Sequence, residues 1–387
     1  MRHPLSSLLI SLLLLCASPV HADPLDSLRV DTLAYQGRHA IDFVLLGDGY
    51  TLSDQARFLR DARRCFDYLF RTSPFDRYRS YFNLYAIPVV SRERGITHPG
   101  VRLADGTQAC PEHSAMPLQQ RDTYFRLSLD LDGIHRLIGC GNYRGLRRIL
   151  RRYAPHCRQV GILSNTDEYG GMGGDILLAT RNKQSREVFV HEFGHSFARL
   201  ADEYFAGDDF FEELPNMTYD SLPSTVRWYR WLDVPGVGIY SYQGSEKARR
   251  WFKPTEASAG SLYCKMQVLG RPFCPVCREA LVERLHDLCN PIEAVLPADS
   301  VVRPRRSSQR FALTRLLEAR GGHTLIVWRV DGRVAQVGGK RFRLRFARKE
   351  PPTPHTVSVS VSDESDYVRS PEHALRHVYT HTWQVHP

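Results

Sequence analysis

The apolar positions change rhythm along the chain, and each change predicts an element. Residues 28–36 read as a short strand suited to an edge. Ile41–Leu46 is a continuous apolar run closed by Gly47-Asp48-Gly49-Tyr50, which predicts a buried strand and a tight turn. From Leu52 to Phe70 the period becomes helical, with Phe58, Ala62, Phe66 and Phe70 on one stripe. Tyr81–Val90 and Val160–Leu163 predict strands. Ile134–Ile138 and Tyr143–Tyr153 predict helices, the second with a solvated, arginine-rich face. Asp175–Thr180 predicts an edge strand directly before a helix in which Phe189, Phe193, Phe197 and Leu200 share a stripe, capped by Ser185 with Glu187 in its first turn. Tyr204–Ser261 is loop-rich and holds Trp228, Trp231 and Trp251, a length of chain suited to walling a cleft; Arg278–Leu288 is a short amphipathic helix. Pro291, Pro297 and Pro304 then interrupt the pattern. Beyond them Leu325–Val330, Val334–Val337, Phe342–Phe346 and Val357–Val361 read as short strands, with Asp331-Gly332 as a hairpin turn. The order predicts an α+β unit over residues 23–290 and a small all-β, immunoglobulin-like sandwich over 291–387.

Composition is that of a soluble globular chain, 42% hydrophobic and 24% charged. A formal charge of +10 permits acidic partners. No basic run is interleaved with stacking aromatics, so nucleic acid is not an expected partner. Residues 1–22 have the pattern of a signal peptide: Arg2 and His3, an apolar run from Leu5 to Cys16, then Val20-His21-Ala22 before Asp23. That run is too short to span a bilayer, and Leu15 before Cys16 argues against a lipid anchor. The expectation is a secreted or periplasmic protein, cleaved near Ala22 and not inserted in a membrane. Eight cysteines follow: Cys65, Cys110, Cys140, Cys157, Cys264, Cys274, Cys277 and Cys289. Export favours disulfides; the alternative is a structural four-thiolate zinc site from Cys264, Cys274, Cys277 and Cys289.

The chemistry concentrates in His191-Glu192-Phe193-Gly194-His195. On a helix, HExxH sets two imidazoles one turn apart, opposite the phenylalanine stripe, where both can bind one Zn²⁺. Glu192, about 100° round the helix from His191, sits beside the metal and suits the role of general base toward zinc-bound water. A catalytic zinc needs a third protein ligand and one open position. Asp202 is the preferred third ligand, with Glu203 the alternative and a donor from a distant helix the remaining option. In an unbroken helix Asp202 would lie roughly 16 Å along the axis from His191, so the chain must turn sharply after His195 if Asp202 binds.

Other residues carry weaker expectations. The glycines of Asn165–Gly174 suggest close backbone approach, and Gly173, Gly174 and Asp175 are expected to hold extended substrate by strand addition. Tyr204 or Tyr263 is a possible oxyanion stabiliser, although a structural role suits each better. Asp48 reads as a turn carboxylate and His98 as a loop hydrogen-bonding residue. His373, His377 and His381 recur every fourth residue; they would bind a second metal if helical, and otherwise read as exposed histidines. Met266 alone is core filler.

With these residues in view, the chain resembles the M64 family of bacterial zinc metallopeptidases, named for an immunoglobulin A peptidase. The matching segments span roughly residues 40–290: Leu46-Gly47-Asp48-Gly49-Tyr50, Asn165 with Tyr169-Gly170-Gly171, His191 to Phe197, Leu200-Ala201-Asp202-Glu203-Tyr204, and Phe273-Cys274-Pro275-Val276-Cys277. The resemblance implies a metzincin-like zinc peptidase domain acting on protein or peptide. It makes His191 and His195 ligands, Glu192 the base and Met266 a methionine turn beneath the zinc. The family usually has glycine where this chain has Arg199. The rivals are a cell-surface binding or adhesion protein with a structural or degenerate metal domain, and a zinc amidase acting on cell-wall peptides.

Overall fold

The computed structural model describes residues 28–110, 114–205, 212–242, 248–257, 263–304, 307–346 and 353–387. The expected signal segment lies outside them. No helix among the described residues is long and apolar enough to cross a membrane.

A six-stranded sheet organises the first part. Its strands are β1 (Asp31–Ala34), β2 (Ile41–Asp48), β3 (Phe82–Ile87), β4 (Gln159–Ser164), β5 (Gly171–Met172) and β6 (Leu177–Thr180), in the order β1-β3-β2-β4-β6-β5. The four central strands are parallel and both edges antiparallel. Helix α1 (Gln55–Leu69) makes the crossover from β2 to β3, and α2 (Tyr143–Tyr153) leads into β4. Both sheet faces are covered, which is why β2 reads as an unbroken apolar run. Phe43 and Leu45 join α1 and the HExxH helix α3 (Ser185–Ala198) on one side; Val44 and Leu46 join Leu146 and Ile149 of α2 on the other.

Four expectations about these elements need correction. Ile134–Ile138 is not helical: Asp130, Asp132 and Gly133 take positive φ just before it, and Leu137 bridges to Gly171 as extended chain. The strand before α3 is not the edge, because Gly171 and Met172 pair outside it. Gln184 rather than Ser185 is the N-cap of α3; Ser185 is its first residue and bonds back to the Asn182 carbonyl. The last helix of this part, α4 (Pro275–Leu288), starts three residues early, since Pro275 suits a first turn, where its missing N–H costs nothing.

After α4 come the strands β7 (Ile292–Leu296), β8 (Val301–Val302), β9 (Ser308–Leu316), β10 (Thr324–Val330), β11 (Arg333–Val337), β12 (Arg341–Arg345), β13 (His355–Asp363) and β14 (Tyr379–Val385). They form one sheet ordered β7-β9-β12 and another ordered β8-β14-β13-β10-β11. Pairing is antiparallel except between β8 and β14. Phe311 and Leu313 from the first sheet pack with Trp328, Val359 and Trp383 from the second in a core of their own. This part docks on the first through buried polar contacts. The Tyr78 hydroxyl donates to Asp363 at 2.5 Å, and His286 on α4 meets the same carboxylate at 3.1 Å. His373 and His377 are not exposed. They are buried against α4, on Glu283 at 2.6 Å and Asp287 at 3.1 Å, while His381 lies apart on β14.

Asp48, at the end of β2, is fully buried. It accepts from Thr123 Oγ1 and the Phe125 N–H at 2.8 Å, and from the Leu127 N–H at 3.1 Å. Burial raises its pKa, and these bonds oppose the rise. It therefore fastens the irregular 91–130 segment to the sheet, a larger task than closing a turn. Asp48→Ala should destabilise the protein by about 2–6 kcal/mol, since two buried N–H donors lose their acceptor at about 1–3 kcal/mol each. Urea unfolding measures this; a loss under about 1 kcal/mol would mean other acceptors replace the carboxylate.

Candidate metal centre

The centre is built on α3. Phe189, Phe193 and Phe197 are buried and face the sheet. Phe193 stacks on Phe43 and meets Phe75 edge-on, with ring centroids 5.1 and 5.0 Å away. That contact fixes the rotation of the helix and turns His191 and His195 toward the opposite side, into a cleft of about 810 Å³. The Nδ1 of His191 lies 3.0 Å from the Lys265 carbonyl, and that of His195 lies 2.6 Å from the Leu200 carbonyl. Each carbonyl can accept a hydrogen bond from Nδ1–H, which turns both Nε2 atoms toward the cleft. The two Nε2 atoms are 3.2 Å apart.

The chain reverses at once after the helix. Arg199 adopts the left-handed conformation, φ 56 and ψ 37, and its N–H and that of Leu200 cap the last turn. The next residues run back along the helix. Asp202 Oδ1 reaches 3.0 Å from His191 Nε2 and 3.2 Å from His195 Nε2. This oxygen is buried and has no hydrogen-bond partner. Two imidazole nitrogens and a buried carboxylate oxygen, all within 3.2 Å of one another, fit a cation. Burial would raise the Asp202 pKa, but His195 and His191 hold it well below the ordinary carboxylate range. Burial would lower that of His195, but Asp202 and Glu192 raise it to about 9. The alternative Glu203 does not join this group. Its carboxylate points away, toward Asn216, Thr255 and Cys277.

Glu192 stands in the cleft wall beside the two histidines. Burial pushes its pKa up, while His191, His195 and the N–H of Gly173 pull it down. Gly173 lies so close to α3 that a Cβ there would come within 2.4 Å of the His195 Cβ. At Gly171 it would meet Val188 at 2.4 Å and Glu192 Oε1 at 2.9 Å. Gly174 and Asp175 are exposed on the rim, with open space beside Gly174. Tyr204 lines the cleft, its ring centroid 6.3 Å from that of His191. Tyr263 does not line it and instead packs against Arg271. Met266 is buried beneath the helix, its sulfur 3.0 Å from where a Cβ on Gly194 would be.

A scan of protein-family models matches residues 33–237, just over half of the chain, to IgA Peptidase M64. The chain belongs to this family. Membership makes it a peptidase, with peptide as substrate, in a family of metallopeptidases. The match includes Asp48, the HExxH helix and Asp202, and it ends before Met266 and Cys274–Cys277. No curated protein matches the sequence.

Other features of this peptidase were not legible in the sequence. Arg136 lines the cleft, yet it lay in a stretch expected to be helical. His98 makes a loop hydrogen bond as expected, Nδ1 on the Pro117 carbonyl, but its burial and its grouping with Cys110, Asp130 and His135 were not foreseen. Among the described residues no disulfide forms, where the sequence favoured them. Each of the eight cysteines is free, and Cys289 does not group with Cys264, Cys274 and Cys277.

Two substitutions test this geometry. Gly173→Ala should lower peptidase activity at least tenfold by forcing strand and helix apart, whereas Gly174→Ala should retain it; equal effects would contradict the close approach. Arg199→Gly should stabilise the protein by about 1 kcal/mol, because the left-handed conformation strains arginine, and the exposed Arg199–Glu212 pair it removes is worth little. A less stable glycine variant in urea would show that the ion pair outweighs the strain.

Proposed function

We propose that this peptidase is an exported zinc endopeptidase whose metal is held by His191, His195 and Asp202. The observation that carries the reading is the buried, unpartnered Asp202 Oδ1, which reaches both Nε2 atoms from outside the helix. Three protein donors leave a position open, as in catalytic rather than structural sites. When bound, the ion supplies Lewis acidity to a peptide carbonyl and to water. Glu192, held by the Gly173 N–H, accepts a proton from the attacking water at its carboxylate and passes it to the leaving amine. Tyr204 is kept a neutral phenol by burial and by the negative charge of Asp202, so its hydroxyl can donate to the developing oxyanion.

Extended substrate would lie along the rim formed by Gly173, Gly174 and Asp175, where the chain leaves the short strand β5. The sharp return of the chain after α3, the methionine beneath it and the antiparallel edge strand support a metzincin-like domain over residues 23–290. Residues 291–387 are read as an immunoglobulin-like sandwich. In support, the first two strands lie in different sheets, and β8 runs parallel to the last strand, β14. The signal-like pattern of residues 1–22 supports a mature enzyme outside the cytoplasm, secreted or periplasmic.

Glu192→Ala should retain zinc and lose about 10²- to 10⁴-fold in turnover of an unstructured protein such as casein. Unchanged turnover refutes the role of Glu192. Cell-wall fragments assayed beside casein separate the endopeptidase from an amidase, and no chelator-sensitive cleavage of either would leave an adhesion protein.

A further inference from the structure

A second group of donors lies behind the cleft. Glu203, Cys264, Cys274 and Cys277 each offer one ligand atom, and all four atoms lie within 4.8 Å of one another. Their residues are 0–1% exposed. The Sγ atoms of Cys264 and Cys277 are 3.6 Å apart, and Cys277 Sγ is 3.3 Å from Glu203 Oε1. A disulfide requires about 2.05 Å. Sulfurs bound at about 2.3 Å to one tetrahedral zinc would stand roughly 3.8 Å apart, close to the separation observed.

From these donors we infer a second metal site, structural in type, that takes a zinc ion through three thiolates and the Glu203 carboxylate.

Backbone N–H groups point at two of the sulfurs. Cys264 Sγ accepts the N–H groups of Met266 and Cys274, each at 3.4 Å, and Cys274 Sγ accepts that of Cys277 at 3.5 Å. Cys274 is the N-cap of α4, where the helix dipole favours a negative sulfur. The Cys-Pro-Val-Cys spacing is the two-residue gap of zinc knuckles. Glu203 also receives hydrogen bonds from Asn216 and Thr255, which fix its direction. The buried ammonium of Lys253 contacts the Glu203 carbonyl and pairs with Glu256 at 3.1 Å, and that of Lys265 pairs with Glu187, so neither neutralises the group. A cation would balance four acidic donors buried together. Soft sulfur donors select zinc over magnesium or calcium, and four protein ligands leave no open position.

The site would brace the catalytic one. Glu203 follows Asp202 directly, and its N–H bonds the Met266 carbonyl at 2.8 Å. Cys264 precedes Lys265, whose carbonyl orients His191. One ion would thus tie together the two loops that carry the third ligand and the methionine.

The test uses the full chain carrying His191→Ala and His195→Ala, which removes the cleft site and leaves the cysteines intact. This variant should still bind zinc, with an X-ray absorption shell dominated by sulfur near about 2.3 Å. Adding Cys264→Ser and Cys277→Ser should lower its zinc content by one equivalent. The inference is overturned if the folded histidine variant shows no sulfur shell. It is also overturned if zinc content is the same with and without the serines, or if non-reducing mass spectrometry finds a disulfide among Cys264, Cys274 and Cys277. None of these readouts depends on peptidase activity.

Discussion

The left-handed turn at Arg199 is the constraint on which the centre depends. An α-helix advances about 1.5 Å per residue, so a ligand seven residues beyond His195 can reach it only if the helix stops and the chain folds back. Here the helix stops at Ala198, and one residue at φ 56 turns the chain. Arginine takes that conformation at a cost of about 1–2 kcal/mol. The cost is offset by what the turn satisfies: two N–H groups cap the helix, and the Leu200 carbonyl orients His195. The same reversal thus supplies the third donor and fixes the tautomer of the second.

Rigidity comes from the opposite face. A helix carrying two metal ligands must not rotate, since a small turn separates their nitrogens. Stacked and edge-on phenylalanines hold α3 against the sheet, and Met266 fills the space that Gly194 leaves. On the cleft side Gly171 and Gly173 let backbone lie directly on Val188, Glu192 and His195. The helix is therefore clamped between a close-packed aromatic layer and a strand that tolerates no side chain at those points.

The parts that sequence made legible are those governed by periodicity. The unbroken run in β2, the stripe of α1 and the phenylalanine spacing of α3 each express burial on faces that the local chain defines. HExxH belongs with them, because its geometry is that of one helical turn. The rest depended on partners distant in the chain. Asp48 read as a turn residue because its acceptor role involves Phe125 and Leu127, some eighty positions later. Ile134–Ile138 has apolar spacing compatible with helix, but positive φ at Asp130 and Asp132 sets its path. His373 and His377 looked exposed because the helix that buries them, α4, lies far upstream. Cys289 suggested itself as a fourth thiolate by proximity in sequence, while the donor that closes the group is a glutamate sixty residues before Cys264.

Asp202 and Glu203 show how one dipeptide can serve two environments. In extended chain, neighbouring side chains point to opposite sides. Here the chain bends at Glu203 and the two side chains likewise diverge, Asp202 into the cleft and Glu203 to the buried side behind it. Shifting the chain by one residue would exchange the two carboxylates, leaving Glu203 toward the imidazoles and Asp202 among sulfurs. The longer side chain of Glu203 and its bonds to Asn216 and Thr255 oppose that slip, as does its N–H bond to the Met266 carbonyl. Choice of the third ligand is therefore not settled in the cleft alone; it follows from how firmly the neighbouring residue is held on the far side of the same backbone.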